Sequence, residues 1–248
     1  MAQKFNIGDK VLVPVSKLKA NLDAPSSFKK GEVIELVKRS ILVDFGKEQH
    51  IQIASSLCHR DNELGFLILT LGDFSTETSL LDPLAKSILQ FVRMLVPDDH
   101  IRQEKVRSLE EIEALWSGNH KAYSHVILVG HGSKNSVTLA TGEVGVDEFM
   151  NTFDVEGVSK KTFISLCCQT GLKSFGGKAS IHKCCKRFIA PYGSVHGAIA
   201  SWFLQTFLIE HLLNGARPKI SFDRAMGHET NGKFKFWEND KLPKHNPN

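Results

Sequence analysis

Hydrophobic and polar positions change their spacing part-way along the chain. Residues 4 to 58 alternate in short period-two runs: Lys10 to Val15, Gly31 to Val37, Ser40 to Gly46 and His50 to Ile53. Gly8-Asp9, Lys30-Gly31 and Gly46-Lys47 punctuate them, which predicts short antiparallel strands joined by tight turns. From Leu64 the apolar runs lengthen and alternate with helical patterns, the signature of a layered βα unit. The boundary is predicted near His59 to Glu63, giving an N-terminal all-β unit over 1–62 and a larger α/β unit over 63–248.

Within the second unit, Phe66 to Leu71 reads as the first buried strand, and Leu80 to Val96 as a helix with one face at Leu81, Leu84, Ile88, Phe91, Val92 and Leu95. Ser108-Leu109-Glu110-Glu111 opens another helix as a capping box. A strand at His125 to Val129 follows, then a polar excursion through Gly142, a short helix around Val146 to Phe153, and a strand entering Cys168. Arg187 to Pro191 is a further strand, Ser194 to Leu213 a long helix closed by Asn214-Gly215, and the tail from Lys241 reads as disordered. The alternation predicts a mostly parallel sheet covered by helices on both faces.

Composition narrows the function classes only modestly. The 248 residues are 42% hydrophobic and 23% charged, enough to bury a sizeable core, and the net charge of +4 is too small to argue nucleic-acid binding by itself. The polar opening Met-Ala-Gln-Lys-Phe-Asn does not resemble a secretory leader. The most apolar stretch, Ala198 to Leu213, contains Gln205, Glu210 and His211 and falls short of the ~20 residues of a membrane span, so no membrane partner is expected. Five cysteines, with Cys167-Cys168 and Cys184-Cys185 adjacent, suit a reducing, cytoplasmic setting better than a disulfide framework.

Two segments carry the candidate chemistry. His125-Val126-Ile127-Leu128-Val129-Gly130-His131-Gly132 and Thr162-Phe163-Ile164-Ser165-Leu166-Cys167-Cys168-Gln169-Thr170-Gly171 are both apolar runs ending in a reactive side chain at a glycine-bearing turn. A cysteine acts as a nucleophile only as thiolate, which a nearby imidazole or helix N-terminus favours. His131 is the candidate base and later acid, and the backbone amides of Gly132 and Cys168 are candidate oxyanion donors. Alternation along a strand sends Cys167 into the core if Cys168 points out. A buried structural thiol is the competing reading of Cys168.

These motifs resemble those of the caspase-like peptidases of clan CD, and most closely the CHAT branch, whose His-Gly strand is followed by an apolar strand ending Ser-Ala-Cys-x-Thr-Gly. The likeness spans about 66 to 230, although Gly171 arrives two residues later than in the caspase signature. It implies a caspase-like sheet and a cysteine endopeptidase acting on a protein substrate without metal or organic cofactor, with a Cys168–His131 dyad. It also implies a cleft bordered by Pro191 and Ser194, Asp73 as a receiver of a basic substrate residue, and a remodelled loop over Leu172 to Arg187. Several CHAT-like peptidases are effectors held inactive until a protein partner or ligand signals, some in prokaryotic defence against phage. An exposed turn aspartate and an ordinary solvated loop are the plain alternatives for Asp73 and for 172–187.

Phe5-x-x-Gly8-Asp9-x-Val11, Gly31-x-Val33 and Val43-x-Phe45-Gly46 resemble an SH3-like or Tudor-like small barrel, which implies a docking or sensing module. Two further possibilities stay open. Lys17, Lys19, Lys29, Lys30, Lys38 and Arg39 make nucleic acid an alternative partner of this unit. His182-x-Cys184-Cys185 with Cys58 or His59 would be a zinc set, yet it lacks two separated ligand pairs, and no metal is expected.

Overall fold

In the computed structural model the chain is described over residues 5–18, 27–46, 49–72, 75–227 and 233–242. The N-terminal unit has strands β1 (Lys10–Pro14), β2 (Phe28–Val37), β3 (Ser40–Asp44), β4 (His50–Ala54) and β5 (His59–Arg60). They pair antiparallel in the order β4-β3-β2-β1-β5. The sheet is open, not the closed barrel expected from the sequence. Its last strand is two residues long, meets only Val11 and Leu12, and leaves β4 and β5 as separate edges.

Alternation along β1 divides its side chains between two cores. Val11 and Val13 pack with Phe5, Val33, Ile41, Val43 and Cys58 inside the unit. Leu12, on the opposite face, joins Phe28 in the cluster of the larger unit with Leu64, Ile88, Phe91 and Leu95. Ser27 seals this junction, its amide and hydroxyl both donating to the Met94 carbonyl at 2.7 and 2.8 Å. Burial on both faces therefore welds the small sheet to its neighbour.

The larger unit runs through β6 (Phe66–Leu71), α1 (Asp82–Leu95), β7 (Ile101–Val106), α2 (Leu109–Asn119), β8 (His125–Val129), the hairpin β9 (Ser136–Leu139) and β10 (Gly142–Gly145), and α3 (Val146–Asn151). It continues with β11 (Lys161–Ser165), β12 (Cys185–Pro191), α4 (Gly197–Leu208), α5 (Pro218–Gly227) and β13 (Phe234–Trp237). Six strands form one sheet in the order β13-β12-β11-β8-β6-β7. Five are parallel, and the sheet is mixed because β13 joins β12 antiparallel.

Helices cover both faces. Ala85, Ile88, Val92 and Leu95 form the buried stripe of α1, which packs with Ala200, Phe203, Leu204 and Phe207 of α4. Ile112 and Trp116 of α2 and Phe149 and Met150 of α3 cover the other face. Half of the expected capping box is present: Ser108 accepts from the Glu111 amide, while the Glu111 carboxylate reaches one residue further back and accepts from the Arg107 amide at 2.7 Å.

Some elements differ from expectation. The long helix stops at Leu208 and passes into a wide turn over Ile209–Leu213, and a similar turn over Glu77–Leu81 precedes α1. The stretch after Cys168 is no solvated loop: Phe175, Gly176, Gly177, Ala179, Cys184 and Cys185 are buried, and Cys185 already begins β12. Lys241 is held by backbone bonds to Glu238, while residues 243–248 of the expected tail lie outside the described residues.

Connections from β6 lead to β7 on one side, whereas those from β8 lead toward β11 and β12 on the other. The direction of winding thus reverses between β6 and β8. Open α/β sheets form crevices at the C-terminal strand ends beside such a reversal.

Candidate active site

The two sequence motifs meet at these strand ends. Leu128 of β8 is paired in register with Ser165 of β11. Three residues beyond each, past the ends of both strands, stand His131 and Cys168. The Leu166 amide donates to the Leu128 carbonyl at 2.8 Å, holding this alignment past the end of the ladder.

Gly132 lets the segments touch. A Cβ there would lie 2.9 Å from both Cys167 Cβ and Thr170 Cγ2, and 3.1 Å from the Cys168 carbonyl. Thr138 N donates to His131 O at 3.1 Å and Ser133 N to Ser136 O at 2.8 Å. Gly132 therefore faces Val137 as the non-bonded pair of this ladder, and its own N–H points away from the hairpin. Among the described residues, neither the Gly132 amide nor the Cys168 amide has a protein acceptor.

A buried network fixes the cysteine turn. Thr170 Oγ1 donates to the Cys167 carbonyl at 2.8 Å, so the Ser165 hydroxyl donates to Thr170 Oγ1, also at 2.8 Å, and accepts from the Cys167 amide at 3.2 Å. Gln169 takes a left-handed φ of 62° and donates its amide to the Gly193 carbonyl at 3.2 Å. Gly171 donates to Pro191 O at 2.7 Å and accepts from Trp237 Nε1 at 2.8 Å. A Cβ at Gly171 would lie 2.2 Å from the Ala190 carbonyl oxygen, so only glycine fits this approach to β12.

All five thiols are free, and only Cys168 lies outside the buried set. Burial pushes the thiols of Cys58 and Cys167 up to about 12 each, and drives those of Cys184 and Cys185 up as well. Cys167 is fully buried, as alternation predicts. The Cys168 sulfur faces the Val195 carbonyl at 4.0 Å.

His131 Nε2 lies 2.7 Å from Thr76 Oγ1. With Nε2 engaged, Nδ1 is the ring nitrogen left for a thiol, although no His131–Cys168 hydrogen bond forms among the described residues. Thr76 is held from below by its neighbour: Glu77 pairs with Lys105 at 2.8 Å and with Arg107 at 3.1 Å, and Lys105 also reaches Asp82 at 2.9 Å. The sequence reading missed Thr76, as well as the bracing by Ser165, Thr170 and Trp237. The only signal was the hydroxyl spacing Ser165-x4-Thr170 around the cysteines.

The remaining expected site residues divide. Pro191 is buried and borders the cysteine turn through its carbonyl, and Ser194 is exposed with its carbonyl accepting from Lys233 at 3.3 Å. Asp73 lies outside the described residues. The chain matches no protein-family model, and no curated protein matches it.

The zinc set is not assembled. Cys58 packs in the N-terminal core, Cys184 and Cys185 pack in the core of the larger unit, and His182 bonds Asp154 at 3.2 Å. Of the basic N-terminal residues, Lys30 is paired with Asp61 at 3.3 Å and Asp99 at 2.7 Å, Lys29 lies over the Phe45 ring, and Lys19 is outside the described residues. Of that group, the charge of Lys30 is therefore offset by two carboxylates. No helix among the described residues is long and apolar enough to cross a membrane.

Proposed function

We propose that the chain is a caspase-like cysteine endopeptidase, with an SH3-like N-terminal unit as its docking or sensing module. The observation that carries this reading is the in-register meeting of His131 and Cys168 across Gly132, with Cys168 the one thiol outside the core. In the reaction, His131 takes the thiol proton and the Cys168 sulfur attacks a peptide carbonyl. The Gly132 and Cys168 amides receive the oxyanion. Protonated His131 then gives its proton to the departing amine, leaving a thioester that water hydrolyses with His131 as base. No cofactor enters these steps.

The absence of a Cys168–His131 bond favours a regulated effector whose dyad closes when a protein partner or substrate docks, a behaviour suited to a defence protease in the cytoplasm. The same observation favours a second reading, a catalytically silent scaffold. An electrophilic peptide probe at neutral pH, read by mass spectrometry, separates them. Labelling confined to Cys168 and lost in His131→Ala supports the peptidase; labelling of Cys168 indifferent to His131 supports the scaffold, and no labelling is the outcome of either a latent enzyme awaiting its partner or a scaffold.

A further inference from the structure

Several bonds pin the turn that follows Cys168, and one of them comes from the edge of the sheet. Gln169 to Leu172 form a tight turn, closed by the Leu172 amide donating to the Gln169 carbonyl at 3.0 Å. The Gln169 amide donates to Gly193 O at 3.2 Å, the Gly171 amide to Pro191 O at 2.7 Å, and Thr170 Oγ1 to Cys167 O at 2.8 Å. These bonds stay within the motif or tie it to the end of β12 and the segment beyond. The last is different: Trp237 Nε1 donates to the Gly171 carbonyl at 2.8 Å across 66 residues, from the antiparallel edge strand β13.

Burial makes that bond hard to replace. Gly171 and Gly176 are buried, and Trp237 is 4% exposed. Gly176 lies directly on the indole, since a Cβ there would sit 2.9 Å from both Cδ1 and Nε1 of Trp237 and 2.8 Å from the Thr170 carbonyl oxygen. No other donor among the described residues reaches the Gly171 carbonyl. Without the indole N–H, that oxygen becomes a buried acceptor with no partner, which a folded chain relieves by shifting the peptide. Gly171 already abuts β12, where a Cβ would lie 2.2 Å from the Ala190 carbonyl oxygen. The shift therefore runs back through Thr170 and Gln169 to the Cys168 amide.

The same strand holds the far end of this segment. Beyond Trp237 the chain turns at Asn239-Asp240, both left-handed, while Glu238 and Lys241 exchange backbone bonds of 3.0 Å. The Asp240 amide donates to Ser180 Oγ at 2.8 Å, and Ser180 Oγ donates to Gly177 O at 2.7 Å. Residues 237–240 thus staple 171–180 at both ends, and only the Trp237 end reaches the turn after Cys168.

We propose that Trp237 is a positioning residue for Cys168. Its indole N–H fixes the Gly171 peptide, the turn then holds the Cys168 amide toward the oxyanion, and β13 thereby couples the sheet edge to the reactive centre. This rests on the reading of Cys168 as a nucleophile.

The test uses the full chain and reads Cys168 by mass spectrometry with two reagents. A peptidyl-arginine chloromethyl ketone reacts through a tetrahedral adduct whose oxyanion needs the Gly132 and Cys168 amides; iodoacetamide alkylates a thiolate directly and needs neither. In Trp237→Phe the ratio of the ketone rate to the iodoacetamide rate should fall tenfold or more. Ser180→Ala is the control, because it breaks the other staple at a site that is also buried without touching Gly171, and its ratio should stay within twofold of wild type. Hydrogen exchange of the 168–172 amides, followed well below the melting temperatures, should quicken tenfold or more in Trp237→Phe and hold in Ser180→Ala. Replacing Trp237 by benzothienylalanine keeps the fused ring and exchanges its N–H for sulfur, so it isolates the bond from ring size and serves if Trp237→Phe does not fold. A ratio within twofold of wild type in the Trp237 variants, an equal fall in Ser180→Ala, or unchanged exchange would each overturn the inference. The peptidase reading is judged separately, by whether ketone labelling of the wild type needs His131; where it does not, exchange alone decides whether Trp237 holds the turn.

Discussion

Gly132→Ala tests the junction on which the candidate site depends. The new Cβ would sit 2.9 Å from two carbon atoms and 3.1 Å from a carbonyl oxygen, where relaxed carbon contacts lie at about 3.5–4.0 Å. Cys167 and Thr170 are fully buried, and Thr170 is tied to Ser165 and to the Cys167 carbonyl, so neither neighbour has room to retreat. Overpacking of this kind costs about 1–3 kcal/mol, and the stiffer unfolded chain returns about 0.4–1 kcal/mol. The net loss, about 1.3 kcal/mol at the middle of both ranges and about 2.6 kcal/mol at most, corresponds to a melting temperature lower by roughly 3–5 °C, and by about 10 °C at most, for a chain of this size. Gly118→Ala is the control: it lies in α2 with nothing within 4 Å of a new Cβ, and should gain about 0.5–1 kcal/mol. Both are measured by thermal unfolding followed by circular dichroism, alongside probe labelling of Cys168. Labelling should fall in Gly132→Ala, because relief of the clash moves the His131 segment off the cysteine turn. A Gly132→Ala protein that melts with the wild type and labels normally would refute the packing argument.

Other outcomes follow from the same geometry. Thr76→Val removes the 2.7 Å partner of His131 Nε2 and should slow Cys168 labelling about tenfold, the kinetic equivalent of one hydrogen bond, whereas Thr76→Ser should restore it and the pH profile of labelling. Cys168→Ala should abolish labelling yet melt within about 0.5 kcal/mol of wild type, because this side chain lies outside the core; unfolding would mark Cys168 as structural. Burial and the neighbouring His211 hold His59 down to about 4, while burial lowers His125 and His211 as well. Their folded values lie below the unfolded one near 6.5, so the unfolded chain binds more protons in between. Stability should be complete above about pH 6.5 and fall toward pH 4, on the order of 2–3 kcal/mol for His59 alone after allowing for water at its partly open ring. Denaturant titrations read this directly, and a flat profile over that window would contradict it.

Much of the frame was visible in the pattern of the chain. The apolar runs of β6, β8 and β11 are buried on both faces, so they read as continuous hydrophobic stretches that end where the strands end. That is why His131 and Cys168 could be set at strand ends. The edge strand β7, Ile-Arg-Gln-Glu-Lys-Val, was not legible. It pairs along the whole of β6 but buries few side chains, so its backbone bonds hold it without an apolar signature. β13 escaped for another reason: its partner β12 lies more than 40 residues earlier, and only the folded sheet brings Phe234–Trp237 alongside.

The sequence by itself determined which residues are candidates for chemistry and which strand each one follows, because alternation and run length are local properties of the chain. Tertiary structure decided the rest. The register of β8 against β11 brings His131 level with Cys168, the close approach at Gly132 joins their turns, and Thr76 reaches the imidazole from a segment 55 residues away. It also brought the Trp237 indole to the Gly171 carbonyl across 66 residues. Such convergence depends on contacts between distant segments, and those are fixed by packing and hydrogen-bond satisfaction across the whole core, which no single stretch of sequence encodes.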